Sequence, residues 1–443
     1  MMKCFGIIKN KTIGGNATHR SERTAFVGLL RFTKEAGMKN AKGKSNKYVK
    51  KRHRIYFALV RPVAWLIAAI FHFKTKPKKL KKGERYLILA NHQGMLDPVF
   101  LALSFKAPVY IMATDSIFTT KWYSKLMSHC FAPIKKRKGV ADISCIRTAV
   151  QIAKEGGNVA LFPEGNRTWY DFQFYIDKSI CKLIRLLKLP VLLYNFSGGY
   201  GVNPRWSKNI RRGKHRGIVR EILSVEQINE LTDEQLFERV VSGLKVIDGE
   251  SGILFKSRKK AEFLEREFFV CPKCRSFSTL RSRGNVVTCS CCGLQVNYQE
   301  DLRFSSADEA FGFERAVDWY KFQQQTVKNF SIVEGRTILK DNCVKLYDKT
   351  TENRVLLAEG EMTLDSEKLQ IGNVSVPLSE VRAATAIGGI KMIVYTAEKS
   401  YFIVGDERFN CIKYLLFFNR LCPQIFIQGG DKYYGLSFDD NCR

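Results

Sequence analysis

Two segments of the sequence place side chains capable of acid–base chemistry directly after predicted strands. The first spans residues 91–98 and contains His92 and Asp97. A histidine with a carboxylate partner can act as a general base, because the carboxylate fixes the ring tautomer and stabilises the imidazolium. By itself, His-x4-Asp is a weak signal, since a loop histidine near a helix-capping aspartate has the same spacing.

The second segment spans residues 162–168 and reads Phe-Pro-Glu-Gly-Asn-Arg-Thr. It offers a carboxylate at Glu164, a glycine at Gly165 that admits close backbone approach, and a guanidinium at Arg167. These groups suit a ligand that carries both hydroxyl and phosphate groups. The alternative is a plain turn with exposed charges.

Both segments need a scaffold that brings them together. Four short apolar runs predict buried strands, at residues 86–90, 108–112, 158–162 and 190–194. Helical spacing over 141–155 and 179–187 predicts helices between them. Strands that alternate with helices indicate an α/β domain with a mostly parallel sheet covered by helices. The two polar segments then lie at the carboxyl ends of strands, where such folds usually hold their catalytic groups.

Together, Asn91-His92-x4-Asp97 and Phe162-Pro-Glu164-Gly165-x-Arg167 resemble the paired motifs of the glycerolipid acyltransferases, especially the 1-acyl-glycerol-3-phosphate acyltransferases. The resemblance covers residues 86–200. Two motifs in the right order are far more specific than either alone.

Two further family motifs resemble this sequence more loosely. Residues 133–137 look like the intermediate motif, whose basic residue is Lys136 or Arg137, and residues 189–193 look like the last motif. Asn166 stands where the family often has threonine, and Tyr194 where a second proline is common. These departures leave the identity of the acceptor open.

The resemblance implies direct transfer of a fatty acyl group to 1-acyl-glycerol 3-phosphate (lysophosphatidate), which makes phosphatidate. His92 takes the proton from the acceptor hydroxyl, Asp97 orients the ring, and the alkoxide attacks an acyl thioester of coenzyme A or acyl carrier protein. A thioester is already activated, so no enzyme nucleophile is required. The sequence also lacks a Gly-x-Ser-x-Gly elbow. Another lysophospholipid or lipid acceptor is the alternative within this class.

The resemblance also implies which residues hold the acceptor. Glu164 and Gly165 help to hold the glycerol backbone, and Arg137 and Arg167 bind the phosphate. Arginine suits a phosphate because its guanidinium donates two parallel hydrogen bonds.

A separate cysteine cluster predicts a structural zinc site. Cys271-x2-Cys274 and Cys289-x2-Cys292 have the spacing of a zinc ribbon, with Cys291 as a spare thiol. The alternative is four buried thiols without a metal. Residues 1–10 have no apolar core typical of a secretory signal, so we expect reduced, cytosolic cysteines.

The formal net charge of +31 implies an anionic partner. Residues 1–85 contain only three acids, Glu22, Glu35 and Glu84, and basic clusters flank the apolar segment 55–73. This pattern favours anionic lipids at the cytoplasmic face of a membrane, with the segment as a monotopic anchor. A buried core helix and a true span are the alternatives for this segment. A nucleic-acid-binding ribbon protein is a second class, but the ribbon shows no dense basic–aromatic stripe.

The remaining chain predicts further domains. Charged residues 256–266 predict a helix, and alternating runs over 331–406 followed by an apolar helix predict an antiparallel β domain that looks similar to pleckstrin-homology modules, which would permit an adaptor role. We expect residues 197–201 to form a flexible turn at the rim of the site. Five basic residues are interpreted as a solvated face, with a contact to an anionic lipid or a carrier protein as the alternative: Arg205, Arg211, Arg212, Lys214 and Arg216.

The predicted layout has seven parts along the chain. They are a basic arm (1–51), a membrane-associated helix (52–82), the acyltransferase domain (83–245), a helical linker (246–268), the zinc ribbon (269–300), the β domain (301–425) and a tail (426–443).

Overall fold

The computed structural model describes residues 47–80, 83–114, 125, 128–136, 142–350 and 354–422. The predicted tail, nearly all of the predicted basic arm and the predicted phosphate ligand Arg137 lie outside these residues. Lys136, the alternative basic residue of that motif, is the last residue of a short strand.

A seven-stranded sheet forms the N-terminal half of the described chain. Its strands are β1 (Phe73–Thr75), β2 (Leu87–Ala90), β3 (Val109–Thr114), β4 (Ile134–Lys136), β5 (Asn158–Leu161), β6 (Val191–Ser197) and β7 (His215–Leu223). Their order is β1-β7-β6-β2-β5-β3-β4, and every neighbouring pair is parallel except β6 and β7. The predicted mostly parallel sheet is therefore confirmed, and β2 and β5 lie side by side at its centre.

Helices cover both faces of this sheet. They are α1 (Lys51–Ile70), α2 (Asp97–Leu103), α3 (Ile143–Lys154), α4 (Ser179–Leu187), α5 (Gly199–Val202), α6 (Val225–Glu230) and α7 (Asp233–Leu244). Helix α3 begins after Asp142, whose side chain accepts hydrogen bonds from the backbone of Ser144 and Cys145. An acceptor at this position satisfies backbone donors that the helix leaves unpaired.

Helix α1 is apolar on two sides. Ala64 and Ala68 are buried against the body of the protein. The guanidinium of Arg61 donates to the carbonyl oxygens of Phe105 (2.8 Å) and Leu103 (3.1 Å), so the one cation inside the apolar segment fastens the helix to the end of α2. Among the described residues, this helix alone is long and apolar enough to cross a membrane.

The C-terminal half contains two antiparallel sheets. The first has the order β11-β10-β9-β8 and consists of β8 (Leu280–Arg283), β9 (Val286–Cys289), β10 (Gln295–Tyr298) and β11 (Phe304–Ser305). The second, called here the C-terminal sheet, has the order β15-β14-β13-β12-β18-β17-β16. Its strands are β12 (Leu339–Asp348), β13 (Val355–Leu364), β14 (Lys368–Ile371), β15 (Val374–Pro377), β16 (Ala383–Ile387), β17 (Lys391–Tyr395) and β18 (Ser400–Val404).

Two helices pack with these sheets. Helix α9 (Cys411–Leu421) follows the last strand as predicted, after Asn410, whose side chain accepts from the backbone of Lys413. Helix α8 (Ala316–Asn329) lies between the two sheets in sequence, where the β-domain prediction had not anticipated a helix. The antiparallel β domain is thus present, and its likeness to pleckstrin-homology modules stays a prediction.

The predicted helical linker over 246–268 is wrong. This segment holds only two 3₁₀ turns, Asp248–Glu250 and Leu264–Arg266. Its backbone bonds elsewhere: Lys256 exchanges two hydrogen bonds with Arg212, and Ala261 N–H donates to Gly284 O at 2.8 Å. These tertiary hydrogen bonds replace the bonds that a helix would make, and they outweigh the helix propensity of the segment.

One hydrophobic core joins the predicted ribbon, the C-terminal sheet and part of the first domain. It extends from Trp169 and Trp206 through Trp319 to Phe417. The interpretation of the basic run as a solvated face is wrong for two of its members, since Arg205 is 6% exposed and Arg211 is fully buried. The expected flexible turn over 197–201 instead contains the buried helix α5.

Candidate active site

The pair His92 and Asp97 lies in the loop between β2 and α2. Nδ1 of His92 lies 3.0 Å from Oδ2 of Asp97, and Asp97 is fully buried. The same carboxylate oxygen accepts from the backbone N–H of Gln93 (2.7 Å) and of Gly94 (2.8 Å). Three donors thus hold one oxygen, which fixes the imidazole to the start of α2.

Gly94 has a steric role in this loop. A Cβ at this position would lie 2.8 Å from Oδ1 of Asp97, which is closer than a carbon and an oxygen can approach. The glycine therefore lets the chain turn tightly enough for His92 and Asp97 to meet across five positions.

The imidazole faces a small cleft. Its ring stacks on Phe162 with centroids 4.3 Å apart, and its side chain is 19% exposed. Residues Glu164, Asp171 and Gln173 line the cleft together with His92. If Nδ1 donates its proton to Asp97, Nε2 is the basic nitrogen and can accept a proton from a hydroxyl in the cleft.

Glu164 joins the two motifs. Its Oε1 accepts from the backbone N–H of His92 and its Oε2 from that of Phe174, both at 3.0 Å. In return, the backbone N–H of Thr168 donates to the carbonyl of His92 at 2.9 Å. Both carboxyl oxygens are therefore already engaged with the backbone, and a contact of Glu164 with glycerol stays a prediction.

Burial and, to a smaller extent, the charge of Asp97 raise the pKa of Glu164 to about 8, against the pull of the two backbone donors. Between the ordinary value of 4.5 and about 8, the folded protein binds more protons at this site than the unfolded chain. The free energy of unfolding therefore falls as pH rises through this window. Glutamine does not titrate, so the free energy of unfolding of Glu164→Gln should fall less than that of the wild type across this window, by up to a few kcal/mol. Its NH2 group cannot accept from one of the two backbone donors, which lowers the stability of the variant at every pH by a similar amount. Melting curves of both proteins at pH 5, 7 and 8.5 measure this difference, and parallel pH profiles would contradict it.

The Arg167 loop follows directly. Gly165 is exposed and has a φ of 64°, a left-handed conformation that glycine adopts without strain. Arg167 is partly buried, and burial lowers its pKa to about 10, so it remains charged at neutral pH. Among the described residues, no carboxylate forms an ion pair with its guanidinium. An arginine without a described ion pair, next to the cleft residue Thr168 in sequence, can bind an anion.

Gln93 and Asp248, which the sequence patterns had not indicated as site residues, stabilise the His92 loop by hydrogen bonds. Gln93 donates from Nε2 to Oδ1 of Asp248 at 3.1 Å and accepts at Oε1 from the N–H of Gly199 at 3.0 Å. Asp248 is fully buried and also accepts from the N–H of Gly198 at 2.6 Å. The only signal was Asp248-Gly249, a turn-forming pair inside the segment predicted as a helix.

Asp171 completes this arrangement at the wall of the cleft. Its two carboxyl oxygens accept from the backbone N–H groups of Asp248 (2.7 Å) and Gly249 (2.5 Å). Burial and the neighbouring charge of Asp248 raise the pKa of Asp171 to about 7. The loop with the imidazole is therefore braced by a segment well beyond the two motifs.

The four predicted metal ligands lie together, and none of them lines the cleft. The sulfur atoms of Cys271, Cys274, Cys289 and Cys292 all lie within 4.8 Å of one another. Sγ of Cys271 is 3.6 Å from that of Cys292, and Sγ of Cys274 is 3.7 Å from that of Cys289. Thiolates about 2.3 Å from a tetrahedral zinc are about 3.8 Å apart, so the donor set fits this ion.

Comparison with known proteins finds a family match within the N-terminal half of the chain. Residues 48–192 match the family model described as Acyltransferase. The chain carries an acyltransferase domain. The matched residues contain β2 to β5, the His92–Asp97 pair and the Glu164–Thr168 loop, so the predicted enzyme class is confirmed.

Curated relatives of this domain include bacterial 1-acyl-sn-glycerol-3-phosphate acyltransferases. A 1-acyl-sn-glycerol-3-phosphate acyltransferase of Bacillus subtilis is 23% identical over 38% of this chain and 81% of its own length. One of Streptococcus pneumoniae is 22% identical over 47% of this chain and 78% of its own. The crystal structure of a 1-acyl-sn-glycerophosphate acyltransferase from Thermotoga maritima superimposes with a TM-score of 0.36 and 20% identity, over 49% of this chain and 86% of that chain.

Proposed function

We propose that this protein transfers a fatty acyl group from an acyl thioester to the sn-2 hydroxyl of lysophosphatidate. The observation that carries the proposal is the 3.0 Å contact of His92 with Asp97, beside a loop whose Arg167 has no described carboxylate partner. One part of this arrangement removes a proton, and the other binds an anion. The names of the relatives support the same acceptor.

In the proposed reaction one carbon–oxygen bond forms, one carbon–sulfur bond breaks, and one proton moves from the acceptor to the leaving thiolate. Nε2 of His92 takes the proton of the acceptor hydroxyl, and the oxygen forms a bond to the thioester carbonyl carbon. The carbon–sulfur bond then breaks, and the thiolate leaves and takes up the proton from the imidazolium. Asp97 stabilises the positive charge that His92 carries between these steps.

The phosphate distinguishes this acceptor from other lysolipids. Arg167, together with Arg137 of the intermediate motif, is proposed to bind it. A phosphomonoester presents more charge to a guanidinium than a phosphodiester with a bulky head group.

The test is an acceptor comparison. Purified enzyme receives a labelled acyl thioester and lysophosphatidate, lysophosphatidylcholine or lysophosphatidylglycerol, with coenzyme A and acyl carrier protein as alternative carriers. We expect labelled phosphatidate as the main product. Preferred acylation of a lysolipid without a terminal phosphate would contradict the proposed acceptor, though not the acyltransferase domain.

We further propose that α1 lies in the cytoplasmic leaflet interface of a membrane. Its outward face is apolar and exposed at five residues one helical turn apart: Ile55, Leu59, Val63, Leu66 and Ile70. Lys51, Arg54 and Lys74 are exposed at its two ends, where they can contact anionic head groups. A lipid acceptor would enter the cleft from such a surface.

This proposal predicts the effect of two charges on the apolar face. Leu59→Glu with Leu66→Glu should lower binding to vesicles of phosphatidylglycerol and phosphatidylethanolamine by tenfold or more, because each buried leucine contributes about 2 kcal/mol. Sedimentation with vesicles measures the bound fraction. Val333→Glu, at a residue that is 51% exposed and outside the helix, is the matched control and should bind normally. Equal binding by all three proteins would exclude this face from membrane contact.

For the four cysteines we propose one structural zinc ion. The described site has four thiols and no fifth candidate ligand within the cluster, and a closed four-thiolate site leaves no position for a substrate. Zinc would stabilise the fold around β8 to β11 and take no part in acyl transfer.

A further inference from the structure

One buried arginine outside both motifs joins the acyltransferase domain to the C-terminal sheet. Arg205 is 6% exposed, and its guanidinium stacks on the ring of Trp169 at 4.1 Å. It forms no ion pair with any described carboxylate. Its hydrogen-bond partners are instead oxygen atoms on two different parts of the chain.

On one side, Arg205 holds the end of β16 and the turn that follows. Nη2 donates to the carbonyl of Ala386 at 2.7 Å, and Nε donates to the carbonyl of Gly388 at 3.1 Å. Carbonyl oxygens at fixed positions of a sheet are a rigid anchor, so the guanidinium plane is set by the C-terminal sheet.

On the other side, the same guanidinium holds the Arg167 loop. Nη1 donates to Oδ1 of Asn166 at 2.9 Å and to the carbonyl of Arg167 at 3.0 Å. Oδ1 of Asn166 also accepts from the backbone N–H of Arg167 at 3.1 Å. Arg205 therefore holds the backbone of Arg167 at two points: its carbonyl directly, and its N–H through the side chain of Asn166.

We propose that Arg205 is a positioning residue through which the C-terminal sheet sets the conformation of the Arg167 loop and the affinity for the acceptor phosphate. The inference rests on the proposed function only for the identity of that acceptor. The C-terminal half would then contribute to the reaction indirectly, because its sheet supports the Arg167 loop that binds the phosphate.

Charge supports the same conclusion. Burial and, after it, the charge of the nearby Arg167 lower the pKa of Arg205 to about 9. Both remain cations at neutral pH, and neither has a described carboxylate partner. Holding two such cations in place costs free energy, which a bound dianion would recover.

The protein contains a matched control for this role. Arg266 is 3% exposed and stacks on Phe263 at 4.0 Å. It too connects separate parts of the chain, since Nη1 donates to the carbonyl of Trp206 and Nε to that of Glu407, both at 2.7 Å. None of these bonds reaches residues 162–168. Arg266→Lys therefore removes a similar set of buried hydrogen bonds, none of which involves the Arg167 loop.

The experiment compares Arg205→Lys with Arg266→Lys in full-length enzyme. Lysine keeps the charge but cannot donate in two directions as the guanidinium does. We expect Arg205→Lys to raise the KM for lysophosphatidate about tenfold, which is the loss of one to two charge-assisted hydrogen bonds. The KM for the acyl thioester should stay within about twofold in both variants. Asn166→Ala should raise the KM for lysophosphatidate as well, and combined with Arg205→Lys the two effects should be less than additive.

A second readout does not depend on turnover. Hydrogen–deuterium exchange of the peptide that covers residues 164–168 should accelerate in Arg205→Lys and remain at the wild-type rate in Arg266→Lys. The role of Arg205 would be overturned if Arg205→Lys and Arg266→Lys had the same KM for lysophosphatidate and the same exchange rate in the peptide that covers residues 164–168. If the wild type transfers no acyl group to lysophosphatidate, the proposed function fails, while the exchange rates still decide whether Arg205 holds the loop.

Discussion

Replacing His92 by alanine should lower kcat/KM for acyl transfer by roughly 100- to 10,000-fold, the usual contribution of a general base. The side chain is partly exposed at the cleft and makes one described side-chain hydrogen bond, to Asp97, so its removal leaves the backbone contacts of the loop intact. The rate of labelled phosphatidate formation measures the loss. The melting temperature should change by only a few degrees.

Asp97→Asn is the companion variant. The carbonyl oxygen of asparagine can take the place of Oδ2 and accept from the same three donors. The amide carries no charge to stabilise the imidazolium, and its NH2 group replaces Oδ1, which is buried without a hydrogen-bond partner. We therefore expect a loss of activity as large as that of His92→Ala, with a greater loss of stability. Wild-type rates in folded His92→Ala would exclude the imidazole as the base.

The second large effect concerns stability. Removing zinc, or replacing Cys271 by serine, should lower the melting temperature by on the order of ten degrees, because a four-thiolate zinc site contributes several kcal/mol to folding. Cys271 and Cys289 are buried within the core shared by the C-terminal half, so the loss spreads beyond the ribbon. Metal analysis of the purified protein should find one zinc per chain.

The exposed thiol of Cys291 provides the control for this prediction. It is adjacent to Cys292 but is not one of the four clustered sulfur atoms. Cys291→Ser should therefore keep its zinc and its melting temperature. If Cys271→Ser and Cys291→Ser melt at the same temperature, or if the wild type contains no zinc, the four cysteines are structural thiols alone.

The sequence predicted those parts of the molecule in which local pattern and chemistry coincide. Apolar runs marked β2 and β5, and residues of distinctive chemistry followed both strands, so the meeting of the His92 loop with the Arg167 loop was predictable. The cysteine spacing likewise predicted that four thiols would lie together, because ligand geometry constrains spacing.

The supports of the site could not be predicted in this way. Asp248 braces Gln93 from a segment whose charged residues fit a helix, and Arg205 looked like an exposed base in a basic run. Their roles depend on partners far along the chain, such as Ala386, which lies 181 positions from Arg205. A local sequence pattern cannot indicate partners so far along the chain, and tertiary contacts override secondary-structure propensity where they form.

In the proposed reaction, one imidazole removes the acceptor proton and the acyl group moves directly to the acceptor. A single-turnover measurement tests it, in which excess enzyme meets labelled acyl thioester and the label on protein and on lipid is followed in time. We expect the label to leave the thioester only after lysophosphatidate is added, to appear in phosphatidate without passing through the protein, and to remain on the thioester in His92→Ala. A labelled protein that forms before the acceptor arrives and passes its label to lysophosphatidate would contradict the account.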